Sequence, residues 1–311
     1  MAAKDYGQAF MAPLIEAARQ NIYSGAQIIT ERPLGKATGS NDTMRIPIWN
    51  SNNNQLPGDI TRAANAESKE IVSGTFDYVD VQAQEFSAKK TVDRNQEYDQ
   101  RVIDTGSQNE ADRTYIQEVL GQINVKMEYY NSDLLNTSAN YGEVNNIATS
   151  GDRWDDGGDP VEDTWLLLDE VEDNCGIRPN VVAYDEDVWR KVVQNALVIA
   201  RIPDQLTKVV TESWYQSLFP GVEKFIIRRG KYKNSAGTLT NFYTKQAGVY
   251  VVNSNERSQA FAGLFRDPKR DDVTRRVLTE EEHSYKFIHS KYRAISVIDK
   301  NCGGIITNAI S

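Results

Sequence analysis

Read from the N-terminus, the apolar positions first recur at helical spacing. Leu14, Ile15, Ala18 and Ile22 predict a short helix over residues 11–22. The Gly- and Thr-bearing stretch 35–43 ends it. The period then shortens to two. Met44, Ile46 and Ile48 share one face of residues 43–49, which predicts a strand. Residues 71–81 are also strand-like. There Phe76 and Tyr78 are in phase and Val79 and Val81 are out of phase, and the change predicts a bulge. The twenty-one residues between, 50–70, carry Leu56 and Ile60 as their only large apolar side chains. So little apolar surface cannot offset the entropy lost on ordering. The segment is either a long mobile loop or a two-stranded arm ordered by a neighbouring chain, because an isolated hairpin is marginal in water.

Helical spacing returns after Ser107-Gln-Asn-Glu110, a capping box. Tyr115, Ile116, Val119, Ile123, Met127, Tyr130 and Leu134 mark one face over about seven turns. The opposite face is polar, so a long helix lying along a surface is expected. From residue 159 helix and strand patterns alternate. Asp159-Pro160 opens a helix with Trp165, Leu166, Leu168 and Val171 on its apolar side, and Gly176 stops it. Residues 179–184 read as a short buried strand. Residues 185–202 read as one helix through Val188, Trp189, Val192, Val193 and Leu197, and residues 211–218 as a short one ended by Pro220-Gly221. Strands are expected at 225–229 and 249–252, with turns around 234–237 between them. A long strand follows at 285–298, and Gly303-Gly304 leads into a last short one at 305–306. Mixed but not regularly paired elements predict an α+β fold with several lobes.

Composition mainly removes classes of function. The 311 residues, 40% hydrophobic and 25% charged, describe a globular chain with room for two or three domain-sized units. Forty-four acids against 35 bases give a net charge of −9, which is not tuned to grip DNA phosphates. The two cysteines, Cys175 and Cys302, are far apart in sequence and have neither a disulfide framework nor zinc spacing. They are expected to be buried or idle thiols in a reducing compartment. The first twenty residues lack a basic-then-apolar signal pattern, and no apolar run reaches the about 18 residues of a membrane helix. Neither export by that route nor membrane insertion is expected.

The best candidate for chemistry is Gly151–Asp163, GDRWDDGGDPVED. As a calcium loop started at Asp152 it fails. Trp154 stands at the third position, Pro160 at the ninth, and Asp163 where a bidentate Glu is needed. Its simpler role is structural: Asp159 caps a helix, with further acids near the helix N-terminus. His283 and His289, six residues apart, accompany no activated Ser or Cys, and there is no GxSxG, Walker or GxGxxG motif. No catalytic residue, metal or cofactor is expected. The five tryptophans read as core anchors except Trp49, on the arm, which is assigned to a pocket between molecules. Charge is unevenly distributed. Residues 149–187 hold thirteen acids and two bases, whereas residues 222–293 hold fifteen bases and eight acids. These are either two solvated faces or complementary surfaces that meet between copies, and a head-to-tail contact of that kind closes into rings.

The order of these parts, together with local sequence, resembles the major capsid protein family of tailed bacteriophages, whose fold encapsulins share. TSGDRWDDGGDPVEDTWLLLDEV looks like that family's approach to its axial lobe. NCGIRPNVVAYDEDVWRKVVQNALVIARI looks like its helix, buried strand and next helix. FRDPKRDD and NCGGIITNAIS resemble its strand-rich end. The resemblance spans nearly the whole chain. It implies an N-terminal arm (1–39), an extended β-hairpin loop (40–88), a peripheral domain with a spine helix (89–158), an axial domain (159–278) and a return to the peripheral domain (279–311).

Such a subunit would assemble into pentamers and hexamers of an icosahedral shell around double-stranded DNA, without sequence-specific binding and without catalysis. Expected partners are other copies of the chain, a separate scaffolding protein and a portal at one vertex, with a decoration protein left open, but no membrane. The expected place is the virion, after assembly in the host bacterial cytoplasm. Within the extended loop, Arg45, Trp49, Arg62, Lys69 and Glu70 are expected at subunit contacts. The other expected contacts are Asp155 and Asp156, in the hinge that leads into the axial lobe, and Arg228 and Arg229 within it. No motif assigns a Lys–Asn cross-link. Two rivals remain: an encapsulin-like cargo compartment, and a carboxylate-dependent hydrolase using Asp155, Asp156 and Asp159.

Overall fold

A computed structural model of the chain describes residues 28–33, 43–48, 77–93, 108–203, 209–253, 259–266, 273–279 and 284–311. The expected helix at 11–22, the segment 50–70, Ser107 and His283 lie outside them. In chain order come strands β1 (Thr30–Pro33), β2 (Thr43–Ile48), β3 (Asp77–Gln82) and β4 (Gln84–Asp93), helix α1 (Gln108–Asn136) and β5 (Glu143–Asn146). Then follow α2 (Pro160–Cys175), β6 (Val181–Asp185), α3 (Glu186–Val192), α4 (Ala196–Ala200), α5 (Glu212–Ser217), β7 (Lys224–Arg228), β8 (Lys231–Lys233) and β9 (Leu239–Asn241). The chain finishes with β10 (Ala247–Tyr250), β11 (Ala262–Arg266), β12 (Val273–Thr279), β13 (Ser284–Val297) and β14 (Gly303–Thr307).

The fourteen-residue β13 organises one sheet. Strands β12 and β4 both pair antiparallel with its Ser284–Ser290 half, and so lie on opposite edges. Its other half pairs with β11, which in turn carries β1 in parallel. Helix α1 lies across this sheet. Val119, Ile123 and Met127 pack on Phe86 and Ala88 of β4, and the Tyr115 ring lies 5.5 Å from that of Phe287. Lys90 forms an ion pair with Glu118 across the same contact. Tyr130, expected on the apolar side, is exposed and meets Phe86 edge-on. Its place in the buried stripe is taken by Glu128, Asn131 and Ser132.

The second sheet runs β5-β14-β10-β6-β7 and forms a lobe with α2, α3 and α5. Its core includes Leu168, Val171, Tyr184, Val188, Tyr215, Ile305 and Ile306. Sheet membership therefore cuts across the boundaries expected from the sequence. Strands β5 and β14 belong to the lobe sheet, and β11 and β12 to the sheet under α1.

Helix α2 begins as expected. The Asp159 side chain accepts from the amides of Val161 and Glu162, Pro160 follows, and Gly176 (φ 71°) ends the helix in a left-handed turn that favours glycine. The inward face differs from expectation by one residue. Leu167 is 1% exposed and Leu166 51%. Thr164, Leu168, Val171 and Cys175 set the buried face, and Leu166 stands about 200° around the helix from Leu168. The single helix expected over 185–202 is two. Asn195 starts α4 by accepting from the amides of Leu197 and Val198. The bulge expected between Tyr78 and Val79 is absent. Strands β2 and β3 pair without a break from Thr43↔Gln82 to Ile48↔Asp77. Tyr78 simply faces out while Val81 faces in, and the interruption comes at Ala83.

Candidate functional site

The acidic stretch is a clasp whose acids are directed to separate partners. Trp154 is buried and anchors it. Its amide donates to the Ala309 carbonyl (2.8 Å), and its indole Nε1 donates to Asp163 Oδ2 (2.7 Å). Asn195 Nδ2 donates to the carbonyls of Trp154 (2.8 Å) and Gly158 (2.9 Å). The loop is so tight at Gly158 that a Cβ there would stand 1.9 Å from the Asp152 carbonyl oxygen.

Asp159 accepts from both terminal guanidinium nitrogens of Arg201, at 2.6 and 2.7 Å, besides its two helix amides. The Arg201 hydrogen bonds come first in holding its carboxyl below the usual range, against partial burial. Asp155 accepts from the Ser311 hydroxyl (2.6 Å) and amide (3.2 Å). Burial works to raise its carboxyl, but these hydrogen bonds together lower it. Asp163 is raised, first by burial and against its bond from Trp154. Among the described residues, no three His, Cys, Asp or Glu side chains converge to hold a metal. The hydrolase reading needs Asp155, Asp156 and Asp159 to act on one point. Asp155 and Asp159 are instead engaged with Ser311 and Arg201, and Asp156 is exposed.

Arg228 corrects a second expectation. It was assigned to a subunit contact, yet its side chain has no exposed surface and lies inside the lobe, with Nη2 2.7 Å from Asp185 Oδ1. A side chain without surface cannot meet a neighbouring chain. Ile226, Ile227 and Arg228 at the end of β7 are all buried, and Arg229, just past the strand, is exposed. The Arg228 guanidinium also donates to Tyr250 Oη (3.3 Å) and lies 5.0 Å from the Tyr243 ring centre. The Asp185 carboxylate takes the Gln246 amide as well (2.8 Å). Burial pushes the Asp185 carboxyl up to about 7 against the pull of Arg228. Burial works against the Arg228 charge, but Asp185 together with Tyr250, Tyr141 and Tyr243 more than offsets it and the guanidinium stays protonated.

This pair continues into the junction between α1 and the lobe. Tyr243 Oη donates to the buried Glu128 (2.7 Å), Tyr141 Oη to the Leu135 carbonyl (2.6 Å), and Asn136 Nδ2 to the Phe242 carbonyl (2.8 Å). The sequence reading missed Asp185, Glu128 and their partners. The one local signal was the polar interruption at Glu128, Asn131 and Ser132 in the apolar stripe of α1.

Of the other expected contact residues, Arg45 lies in β2 with Asp80 as its cross-strand partner. Trp49, Arg62, Lys69 and Glu70 lie outside the described residues. Arg229 is exposed, 3.8 Å from Glu212. The charge partition is visible at the surface of the lobe. Helix α2 exposes Glu162, Asp169, Glu170 and Asp173 around Leu166, and the β7–β9 region exposes Lys224, Arg229, Lys231 and Lys233. His289 is buried with its Nδ1 2.7 Å from the Thr274 hydroxyl. Among the described residues no helix is long and apolar enough to cross a membrane.

No family model matches the chain, and no curated protein matches it. Solved structures do. A phage-related protein from Bordetella bronchiseptica RB50 superposes over 99% of this chain and 98% of its own, with a TM-score of 0.75 at 14% identity. The encapsulin of the holo-SrpI complex from Synechococcus elongatus PCC 7942 matches over 94% of each chain, with a TM-score of 0.52 at 12% identity. The capsid of Myoviridae phage XM1 matches over 91% of this chain and 90% of its own, with a TM-score of 0.50 at 11% identity. The fold is that of phage capsid proteins and encapsulins.

Proposed function

We propose that the chain is a major capsid protein that self-assembles into pentamers and hexamers of an icosahedral shell around double-stranded DNA. One observation carries this reading: the likeness to phage capsid and encapsulin structures runs through almost the whole chain rather than one lobe. In this reading a separate scaffolding protein and a portal accompany assembly in the host cytoplasm, and the product is the virion, with or without a decoration protein. The loop residues Arg45, Trp49, Arg62, Lys69 and Glu70 clamp the adjacent subunit. The exposed acids of α2, with Asp155 and Asp156 nearby, face the exposed bases of β7–β9, Arg229 included, on the next copy. Opposite charge across such a contact sets orientation and suppresses wrong pairings more than it adds affinity.

Electron microscopy of the protein expressed with and without its neighbouring genes tests the class. Closed shells support it, and persistent monomers under every assembly condition refute it. Deleting residues 50–70 should leave a soluble subunit that forms no shells, and normal shells from that deletion would remove the clamp role. Lys231→Glu with Lys233→Glu should impair assembly, and adding Glu170→Lys with Asp173→Lys should restore it. The likeness to an encapsulin favours one second reading, a cargo compartment. An enzyme copurifying inside the shell in place of DNA would select it.

A further inference from the structure

A groove of about 860 Å³ runs between α1 and the β8–β9 hairpin. Gly121, Val125, Lys126 and Tyr129 line it on the helix side, and Tyr232 and Lys233 on the hairpin side. The Tyr129 and Tyr232 rings meet edge-on, 5.5 Å apart, and Tyr129 stays 43% exposed. At Gly121 the wall is open, because a Cβ there would have nothing within 4 Å. The acid that lines the groove, Glu118, is already paired with Lys90. Lys126 and Lys233 are exposed and have no ion pair among the described residues. The Lys126 ammonium lies 5.3 Å from the Tyr129 ring centre. The groove is therefore an aromatic trough with a positive charge on each wall.

A matching ridge stands on the chain itself. Glu162, Leu166, Asp169, Glu170 and Asp173 recur three or four residues apart on α2 and form one exposed stripe. Leu166 is its apolar centre. Arg178 pairs with Asp169 at 3.0 Å, whereas Glu162, Glu170 and Asp173 have no ion pair among the described residues. Burial first, and then the charge of Glu143, raises the Glu170 carboxyl, so a cation brought there would offset a repulsion. The stripe spans eleven positions from Glu162 to Asp173, and the groove eleven from Glu118 to Tyr129, each about 16 Å along a helix. Sheet order keeps ridge and groove apart in one chain. Helix α2 packs on β5, β14 and β10, at one end of the lobe sheet, and the hairpin follows β7, at the other.

We propose that the groove between α1 and the β8–β9 hairpin of one copy receives α2 of the next, with Leu166 seated against Val125, Tyr129 and Tyr232 and the α2 acids paired with Lys126 and Lys233. The two surfaces differ, so the contact is heterologous and its repeats can close into a ring. An apolar anchor inside a charged rim concentrates binding in a few side chains, while the rim sets orientation. The contact also accounts for Leu166, which stands exposed among acids while Leu167 and Leu168 beside it are buried. The proposal rests on the shell reading and adds to it the site at which the two charged faces meet.

The test uses the full-length chain with the photoreactive residue p-benzoylphenylalanine in place of Gln122, which also lines the groove. Irradiation during assembly should join two chains, and peptide mass spectrometry should place the link within Pro160–Cys175. A link to another segment, to a different protein or within one chain would overturn the proposal, as would the absence of any link. Two variants give an independent reading. Gly121→Phe fills the groove at a position where the helix tolerates a side chain, and Leu166→Ala removes the anchor. Each should weaken association about tenfold in sedimentation and leave the melting temperature of the separated subunit unchanged. Unchanged association in either variant would overturn the contact. Chains that stay monomeric under every condition would overturn it together with the shell reading. Normal shells from Gly121→Phe would overturn this contact alone.

Discussion

Arg228 and Asp185, 2.7 Å apart with no exposed surface, differ in kind from exposed pairs such as Arg190 and Glu186. Water cannot replace a lost partner inside the lobe. Asp185→Asn should cost about 3–5 kcal/mol in urea unfolding, because it leaves the guanidinium buried beside a neutral amide. Arg190→Ala should change the same measurement by less than about 0.5 kcal/mol. Asp159 supplies a pH-dependent counterpart. Its carboxyl is held below the ordinary value by Arg201, so its contribution is present above the unfolded value of about 4 and lost as pH falls through the folded one. Arg201→Met should therefore raise the Asp159 pKa measured by carbon-13 NMR, and flatten the loss of melting temperature on acidification below about pH 5. An unchanged pKa would show that the helix amides alone hold it. At this scale the sequence disclosed the local partner and hid the distant one. The cap of Asp159 is written in the next three residues, whereas Arg201 lies forty-two residues on. A separation of forty-three residues hid Asp185 from Arg228.

Elements were legible wherever local chemistry punctuates them. Asp159-Pro160 and Gly176 bracket α2 as expected, and β13 and β14 stand within a residue or two of the alternation that predicts them. Strands β5, β11 and β12 were not legible, because each is ordered by a neighbour distant in sequence rather than by its own pattern. The break between α3 and α4 was missed for a related reason. Asn195 reads as an ordinary helix residue until its side chain is seen bonded to the carbonyls of Trp154 and Gly158. The orientation of α2 gives a measurable contrast. Leu167→Ala should cost about 2–5 kcal/mol, because it empties space against the lobe sheet. Leu166→Ala should cost less than about 0.5 kcal/mol in the isolated subunit. The reverse ranking in chemical unfolding would contradict the packing described for this helix.

On the scale of the whole molecule, the order of long helix, helix–strand lobe and returning strand was readable from the sequence, and the division into sheets was not. The chain crosses between its two five-stranded sheets several times, and no periodicity records a crossing. Strand β14 makes the point most sharply. It fills a slot between β5 and β10, pairing with residues on both sides that precede it by about 50 to 160 positions. During synthesis those two neighbours leave the ribosome long before Gly303 does. Until then each presents a bare edge, ready to pair with any other nascent chain. A message cut short before residue 303 would yield a chain with that gap permanently open. The lobe sheet therefore closes only on a subunit translated through β14.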